Sequence, residues 1–78
     1  MNKRATWMDS VEHQIRLHYA VGQVFSLTDF YRRAEPALQQ AYPANSTVQA
    51  TIRQILQRLR DSDVLEFVDN DGTYRRLR

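Results

Sequence analysis

The sequence contains no cysteine, only two glycines and two prolines, and a single lysine, Lys3. Without cysteine, it has no disulfide framework, no thiolate metal ligand and no thiol nucleophile. No apolar run is long enough to span a membrane, and the residues after Met1 lack the apolar core of a signal peptide. We therefore expect a cytoplasmic protein that has no membrane partner.

The remaining composition is that of one folded domain. Hydrophobic residues make up 42% and charged residues 26% of the 78 residues. We expect a single domain over residues 1–78, with a loose N-terminus over residues 1–5. The formal net charge is only +2, but all of the eleven basic residues except Lys3 are arginines. Arginine favours planar, bidentate contacts with phosphates and bases, so nucleic acid is a candidate partner.

The segment from Tyr42 to Phe67 predicts a helix that leads into a strand. Pro43 stops the preceding element, and Asn45 and Ser46 are suitable N-caps. Helical spacing then forms one apolar stripe, which comprises Val48, Ile52, Ile55, Leu56 and Leu59. The polar side comprises Thr47, Gln49, Ala50, Arg53, Gln54, Gln57 and Arg58. Such a side suits a major groove, because Arg can bond guanine and Gln can bond adenine bidentately. Arg and Gln are also good helix formers on surfaces that face only solvent, so the same pattern is compatible with a helix that binds nothing.

The N-terminal part of the chain predicts a first helix. Thr6 is a suitable N-cap with Asp9 as its capping-box partner, and Gly22 is expected to end the helix. His13 and His18 lie five residues apart, on different faces, and have no third ligand nearby. We therefore expect no metal site, no general base and no cofactor.

A second helix is expected after a short apolar link at residues 24–25, which is a candidate for a one-bridge strand. Ser26 or Thr28 is the expected N-cap. Pro36 falls inside the helical pattern, and proline is tolerated only in a first turn or at a kink. The sequence therefore predicts a break near Glu35 and two short helices in place of one.

After Asp61 the periodicity changes to that of a hairpin. Residues 64–68 are rich in strand formers, residues 69–72 have hairpin-turn chemistry, and residues 73–77 form the return strand. The expected fold is α+β: a winged helix-turn-helix with a three-helix core followed by a C-terminal two-stranded β-hairpin wing. In this arrangement the return strand would be an open sheet edge.

Several runs carry a family resemblance within residues 24–77: Phe25–Tyr31, Tyr42–Asn45, Ile52–Asp61, Phe67 and Gly72–Tyr74. Together they resemble the C-terminal winged-helix domain of Dam-replacing proteins and of related restriction endonucleases that act on adenine-methylated DNA. The resemblance implies a winged helix that contacts DNA, in some members with sensitivity to adenine methylation. The nuclease domain of the family has no counterpart in these residues, so we expect no enzyme.

The sequence also departs from the family pattern. Thr51 stands where the family often has a basic residue, and Asp63 stands where a glycine is usual. We expect Asp63 to adopt a left-handed conformation at some cost in strain. Asp69 and Asp71 lie at the expected hairpin tip, where their charges would repel phosphate.

The resemblance implies double-stranded DNA as the partner and assigns roles by position. The helix N-terminus suits a phosphate, the polar side of the helix faces base edges or the backbone, and the return strand offers further phosphate contacts. The candidate DNA-binding residues are Asn45, Ser46, Thr47, Gln49, Ala50, Arg53, Gln54, Gln57, Arg75 and Arg76.

Structural explanations compete with several of these roles. Asn45 and Ser46 can act as caps alone, Arg60 can pair with Asp61 at the helix end, and Arg76 can pack its stem against the helices. A winged helix can also serve as a protein-interaction module that binds a second copy of itself or a larger host protein. Salt distinguishes the two functions, because phosphate contacts weaken steeply as salt rises.

Overall fold

The computed structural model describes residues 6–69 and 71–78, so the expected loose segment 1–5 lies outside the described residues. Along the chain the elements are α1 (Trp7–His18), β1 (Val24–Ser26), α2 (Leu27–Ala41), α3 (Val48–Asp61), β2 (Leu65–Asp69) and β3 (Thr73–Arg76). This order confirms the α+β winged-helix prediction. Among the described residues, no helix combines the length and apolar character needed to cross a membrane.

The start of α1 follows the prediction, but its end does not. The Asp9 N–H donates to Thr6 Oγ1 at 3.1 Å, and the Thr6 N–H donates to Asp9 Oδ2 at 3.2 Å, which completes the capping box. The helix ends at His18, and Gly22 lies in the following turn with φ +87°. Tyr19 causes the earlier end, because its extended backbone places the ring against Phe25 with centroids 4.2 Å apart.

The second helix, α2, is continuous, so the predicted break at Pro36 is wrong. Ser26 is its N-cap and accepts from the Asp29 N–H at 3.0 Å. Phe30 and Ala34 are buried before the proline and Leu38 is buried after it. Because both halves of α2 pack on the same core, this packing outweighs the loss of one backbone donor at the exposed Pro36.

The apolar stripe of α3 is buried as predicted. Its residues share one core with Ile15, Phe30, Leu38 and Leu65, while Phe67 is only partly buried against that core. The predicted caps are wrong, because Thr47 is the N-cap. Asn45 instead accepts the Thr47 N–H at 2.7 Å, as short polar side chains do in turns, so the helix begins later than predicted.

The sheet has three antiparallel strands in the order β1-β3-β2. Tyr74 of β3 is the register partner of Phe25 in β1 and of Phe67 in β2. The short link before α2 is therefore a full strand, and it covers the edge of β3 that was predicted to be open. That prediction is wrong, because the aromatic side chain of Phe25 needs the core and brings the β1 backbone alongside β3.

The junctions around the hairpin place it against the helices. Asp63 has φ +62°, which confirms the predicted left-handed residue. The Leu27 N–H donates to Gly72 O at 2.8 Å and ties the hairpin loop to the start of α2. At the tip, the Asp71 N–H donates to Asp69 Oδ1 at 2.8 Å. The predicted turn also includes Asn70, which lies outside the described residues.

Candidate nucleic-acid interface

The exposed side of α3 carries the polar residues that the sequence predicted to face the major groove. Because helical geometry separates its two sides, the buried stripe leaves the other residues in solvent. The exposed residues are Thr47, Gln49, Ala50, Arg53, Gln54, Gln57 and Arg58. The structure therefore brings five predicted site residues of α3, together with Thr47, onto one surface.

Arg53 lies near the middle of this surface. Its guanidinium has no hydrogen bond or ion pair with any other described residue. Burial raises the pKa of Tyr31 and of Tyr74, and the positive charge of Arg53 opposes both shifts. The charge of Arg53 therefore acts on tyrosines of α2 and of β3, while its own donors have no partner among the described residues.

Gln49, one turn before Arg53, contacts α2 through two hydrogen bonds. Its Nε2 donates to Glu35 Oε1 at 2.9 Å, and its backbone carbonyl accepts from the Tyr31 hydroxyl at 3.2 Å. Tyr31 and Glu35 are four residues apart on α2, as Gln49 and Arg53 are on α3, so each pair occupies one helix face.

The segment before α3 is organised by Asn45. Its Oδ1 accepts from the Thr47 N–H and, at 3.3 Å, from the Thr47 hydroxyl, and its Nδ2 donates to Thr51 Oγ1 at 3.3 Å. Asn45 is half-buried, whereas Ser46 and Thr47 are exposed. The N-cap makes no side-chain cap hydrogen bond and the first turn of α3 carries no acid, which leaves this end suited to a phosphate.

The hairpin arginines have partners within the chain. Arg75 Nη1 donates to Glu66 Oε2 at 2.6 Å, across a register pair of β2 and β3. Arg76 Nη1 donates to Tyr19 O at 2.7 Å, and its Nε donates to Arg78 O at 3.2 Å. Arg76 therefore connects the end of β3 to the end of α1 through a hydrogen bond of its guanidinium.

At the end of α3, Arg60 behaves as the structural explanation implied. Its Nη2 lies 3.1 Å from Asp61 Oδ1, and its guanidinium carbon lies 4.5 Å from the centroid of the Phe67 ring. The arginine thus covers the partly buried aromatic ring of β2. It contributes to the packing between α3 and the sheet.

A second arginine-rich region surrounds Asp29 at the start of α2. The carboxylate accepts from the Tyr19 hydroxyl at 2.7 Å, from Arg32 Nη2 at 2.7 Å and from Arg33 Nε at 2.9 Å. These hydrogen bonds, that of Tyr19 foremost, hold the pKa of Asp29 well below its ordinary value. Burial and the bond to Asp29 raise the pKa of Tyr19. Both arginines thus share one carboxylate partner, Asp29.

The two histidines do not come together in a site. His13 is exposed, and His18 Nε2 lies 3.2 Å from Gln14 Oε1 on the same helix. Within residues 6–69 and 71–78, no three His, Asp or Glu side chains form a group that would hold a metal ion.

Sequence analysis missed Tyr31 and Glu35 as parts of the surface around α3. The only signal in the sequence is their spacing of four residues, which is common on helix surfaces. Which face of α2 meets α3 depends on how the helices cross, and spacing along one helix does not determine that.

Comparison with protein families identifies a match over most of the sequence. The family model described as the Dam-replacing HTH domain matches residues 3–76, nearly the whole chain. A comparison with curated proteins finds no match.

Proposed function

Because the chain belongs to the family of Dam-replacing HTH domains, we propose that it binds double-stranded DNA with α3 in the major groove. Membership in this family indicates a DNA-binding helix-turn-helix. The observation that carries the proposal is the exposed polar side of α3, with Arg53 unpaired among the described residues. An α-helix fits the major groove, and arginine is the residue that most often makes specific contacts there.

We assign two kinds of contact to this side of α3. Gln49, Ala50, Arg53 and Gln54 face base edges, because they lie in the half of the helix nearest its N-terminus. Gln57, one turn further on, contacts the backbone. These assignments make the binding specific for sequence, since base-edge contacts distinguish base pairs and phosphate contacts do not.

Three further residues provide a phosphate contact at the start of α3. Ser46 and Thr47 are exposed there, and Asn45 supports them by holding the Thr47 amide. Arg75 and Arg76 remain candidates for phosphate contacts, but each already donates to an internal partner. We therefore expect them to contribute less than the residues of α3.

We also propose that binding responds to adenine methylation. The adenine N6 amino group is displayed in the major groove, so a methyl group on it would lie within reach of a helix in that groove. Ala50 is exposed between Gln49 and Arg53 and offers the kind of apolar contact that proteins make with the thymine methyl. Family membership supports this proposal.

These residues form a binding module in this proposal. A helix-turn-helix domain positions a helix on DNA and needs no reacting group of its own. We propose no catalytic role for residues 1–78, and any chemistry would belong to a partner or to a larger host protein.

A second candidate function is protein interaction or dimerisation through the sheet. Val24 in β1 is 42% exposed, Val68 in β2 is 44% exposed and Leu77 after β3 is 37% exposed. Exposed apolar side chains on one small sheet favour contact with another protein. This function does not compete with DNA binding for the surface of α3.

A fluorescence titration at two salt concentrations tests the proposal. The duplexes are one random pool, one pool with methylated adenines and one matched unmethylated pool. We expect affinity to fall steeply between the two salt concentrations, and the methylated pool to bind more tightly than its matched control. Absence of binding at low salt, together with salt-insensitive self-association in sedimentation, would contradict DNA binding and favour the second function.

A further inference from the structure

The first turn of α3 is held against α2 by two side chains that the assigned DNA contacts do not use. The Tyr31 hydroxyl donates to the backbone carbonyl of Gln49, and Glu35 Oε1 accepts from the side-chain amide of Gln49. Tyr31 and Glu35 are each half-buried. The contacts therefore fix both the backbone and the side chain of one residue on the proposed DNA surface.

We propose that Glu35 is a positioning residue that orients Gln49 to bind an adenine–thymine base pair. This inference rests on the proposed binding of DNA by α3. Gln49 contacts the base pair at one position of the DNA site. The Glu35 carboxylate does not contact the base, but it sets which base pair Gln49 prefers.

The chemistry of the two groups gives Gln49 one orientation. A carboxylate has no hydrogen to donate, so it can only accept. The nitrogen end of the Gln49 amide must therefore face Glu35, as the 2.9 Å bond shows. An exposed glutamine without such a neighbour can rotate its amide and exchange the positions of its oxygen and nitrogen.

The groups that remain on Gln49 match adenine. A bidentate contact needs an oxygen that accepts from adenine N6 and an N–H that donates to adenine N7. The Gln49 amide nitrogen carries two hydrogens, and Glu35 occupies only one of them. Its Oε1 and second N–H have no other partner among the described residues. A guanine at that position would place its O6 acceptor opposite Oε1.

The charge of Glu35 has a second effect. Its carboxylate is bonded to Gln49, whereas the proposed phosphate contacts are assigned to Ser46 and Thr47, ahead of the helix. A phosphate approaching Gln49 would meet this negative charge, whereas a neutral base edge would not. Glu35 therefore disfavours random backbone contacts at Gln49 and leaves base edges as the better partners.

Glu35→Ala tests this inference, because a change of base preference at a single position would not result from unfolding of the variant. Dissociation constants are measured on duplexes derived from the best site of a random pool, with each base pair exchanged in turn. Gln49→Ala identifies the position at which Gln49 acts. We expect Glu35→Ala to reduce the preference for adenine–thymine at that same position by on the order of tenfold. We expect affinity for a random duplex to rise about twofold, because one repulsive charge is gone.

Two further variants separate orientation from charge. Glu35→Gln keeps an accepting oxygen, so it should retain most of the base preference while raising the affinity for the random duplex. Glu12→Ala is the matched control, because it removes the same charge from α1, where the Glu12 carboxylate pairs with Arg16 at 2.6 Å. We expect Glu12→Ala to leave the base preference unchanged.

The outcomes keep the two proposals apart. If the wild-type protein binds no duplex, DNA binding fails and this inference fails with it. If the wild type discriminates but Glu35→Ala shows the same base preference, only the role of Glu35 is overturned. An equal loss of affinity on every duplex, with a lowered melting temperature, would also overturn it by showing that Glu35 only supports folding.

Discussion

The third helix, α3, and the return strand, β3, both carry arginines, but the partners of these arginines differ. Arg53 and Arg58 project from α3 without an ion-pair partner in the described part of the chain. Arg75 and Arg76 of β3 are bonded to Glu66 and to the backbone of Tyr19. Arginine count therefore does not determine where DNA can bind, because the folded chain decides which guanidinium groups keep free donors.

The difference follows from the neighbours of each element. In a sheet, every residue faces a partner across the strand, and the register places Glu66 opposite Arg75. In α3, no acid lies in the first turn, and the only acid within the helix, Asp61, pairs with Arg60 at the far end. In the N-terminal half of α3, Arg53 is thus a cation without an acidic partner among the described residues.

The largest expected effect is on the buried side of α3, which supports its exposed side. Ile52 is fully buried, so Ile52→Ala should cost on the order of 2–4 kcal/mol in the free energy of unfolding. Urea denaturation followed by circular dichroism measures the loss. The control is Gln54→Ala, an exposed residue on the same helix. A loss no larger than that of the control would show that the stripe is not core.

Arg53→Ala tests an arginine of α3 that has no internal partner among the described residues. If Arg53 bonds a guanine, the variant should lose about 1–3 kcal/mol on the preferred site and its preference at one base pair, with unchanged unfolding. If Arg53 holds a phosphate, the loss should be equal on all sequences and the salt slope should fall by about one unit.

Arg53→Lys separates the same two roles, since lysine keeps the charge but lacks the planar fork. It should restore affinity only where Arg53 holds a phosphate. If neither variant changes DNA affinity, Arg53 is a solvated residue and the protein-interaction function gains support.

Arg76→Ala tests an arginine of β3 whose guanidinium has internal partners. It removes charge-assisted bonds to two backbone carbonyls, so the free energy of unfolding should fall by about 1–2 kcal/mol. The DNA affinity of the folded variant should change less than that of Arg53→Ala. Arg58→Ala, in an exposed residue of α3, is the control for charge. A larger effect on DNA affinity than on the free energy of unfolding would show that Arg76 acts mainly in binding.

Asp29 adds a pH test to the same contrast, because it holds Arg32 and Arg33 as Glu66 holds Arg75. The pKa of Asp29 lies below its ordinary value of 3.8, so its bonds stabilise the fold above that pH. The contribution is lost as the pH falls below 3.8 toward the lowered pKa. Urea midpoints from pH 7 downwards should show Asp29→Asn least stable relative to wild type at neutral pH, with the gap closing in acid. A stability difference that does not change with pH would contradict the lowered pKa of Asp29.

The smallest effect is expected at the hairpin tip. Replacing Asp69 and Asp71 with Asn removes two negative charges and keeps an oxygen that can accept the Asp71 amide hydrogen bond. The hairpin should persist, and DNA affinity should rise about two- to threefold. The readout is the dissociation constant at low salt, and an unchanged value would mean that the tip points away from the duplex.

Periodicity and local chemistry predicted the parts of the molecule that depend on neighbours in sequence. The stripe from Val48 to Leu59 follows from helical spacing, and the Thr6 cap follows from residues close by. The left-handed Asp63 was expected from the family resemblance, since a glycine is usual at that position. Pro36 was misjudged because tertiary packing on both sides outweighs one lost hydrogen bond.

The parts that sequence could not supply are contacts between distant segments. The pairing of Phe25 with Tyr74 depends on the return of the chain after α3, and the bond from Gln49 to Glu35 depends on the crossing of two helices. For the candidate site, spacing therefore predicted which residues of α3 are exposed. It did not predict that Arg75 and Arg76 would have internal partners.

The position of β3 in the sheet has a consequence for how the chain is made. The central strand is the last of the three to leave the ribosome, so neither β1 nor β2 has a pairing strand until residues 73–76 emerge. The helices can associate during synthesis, whereas closing the sheet must wait for contacts distant in sequence, which form slowly. Proteolytic cleavage after Gly72 would therefore remove the centre of the sheet and leave two strands without a partner.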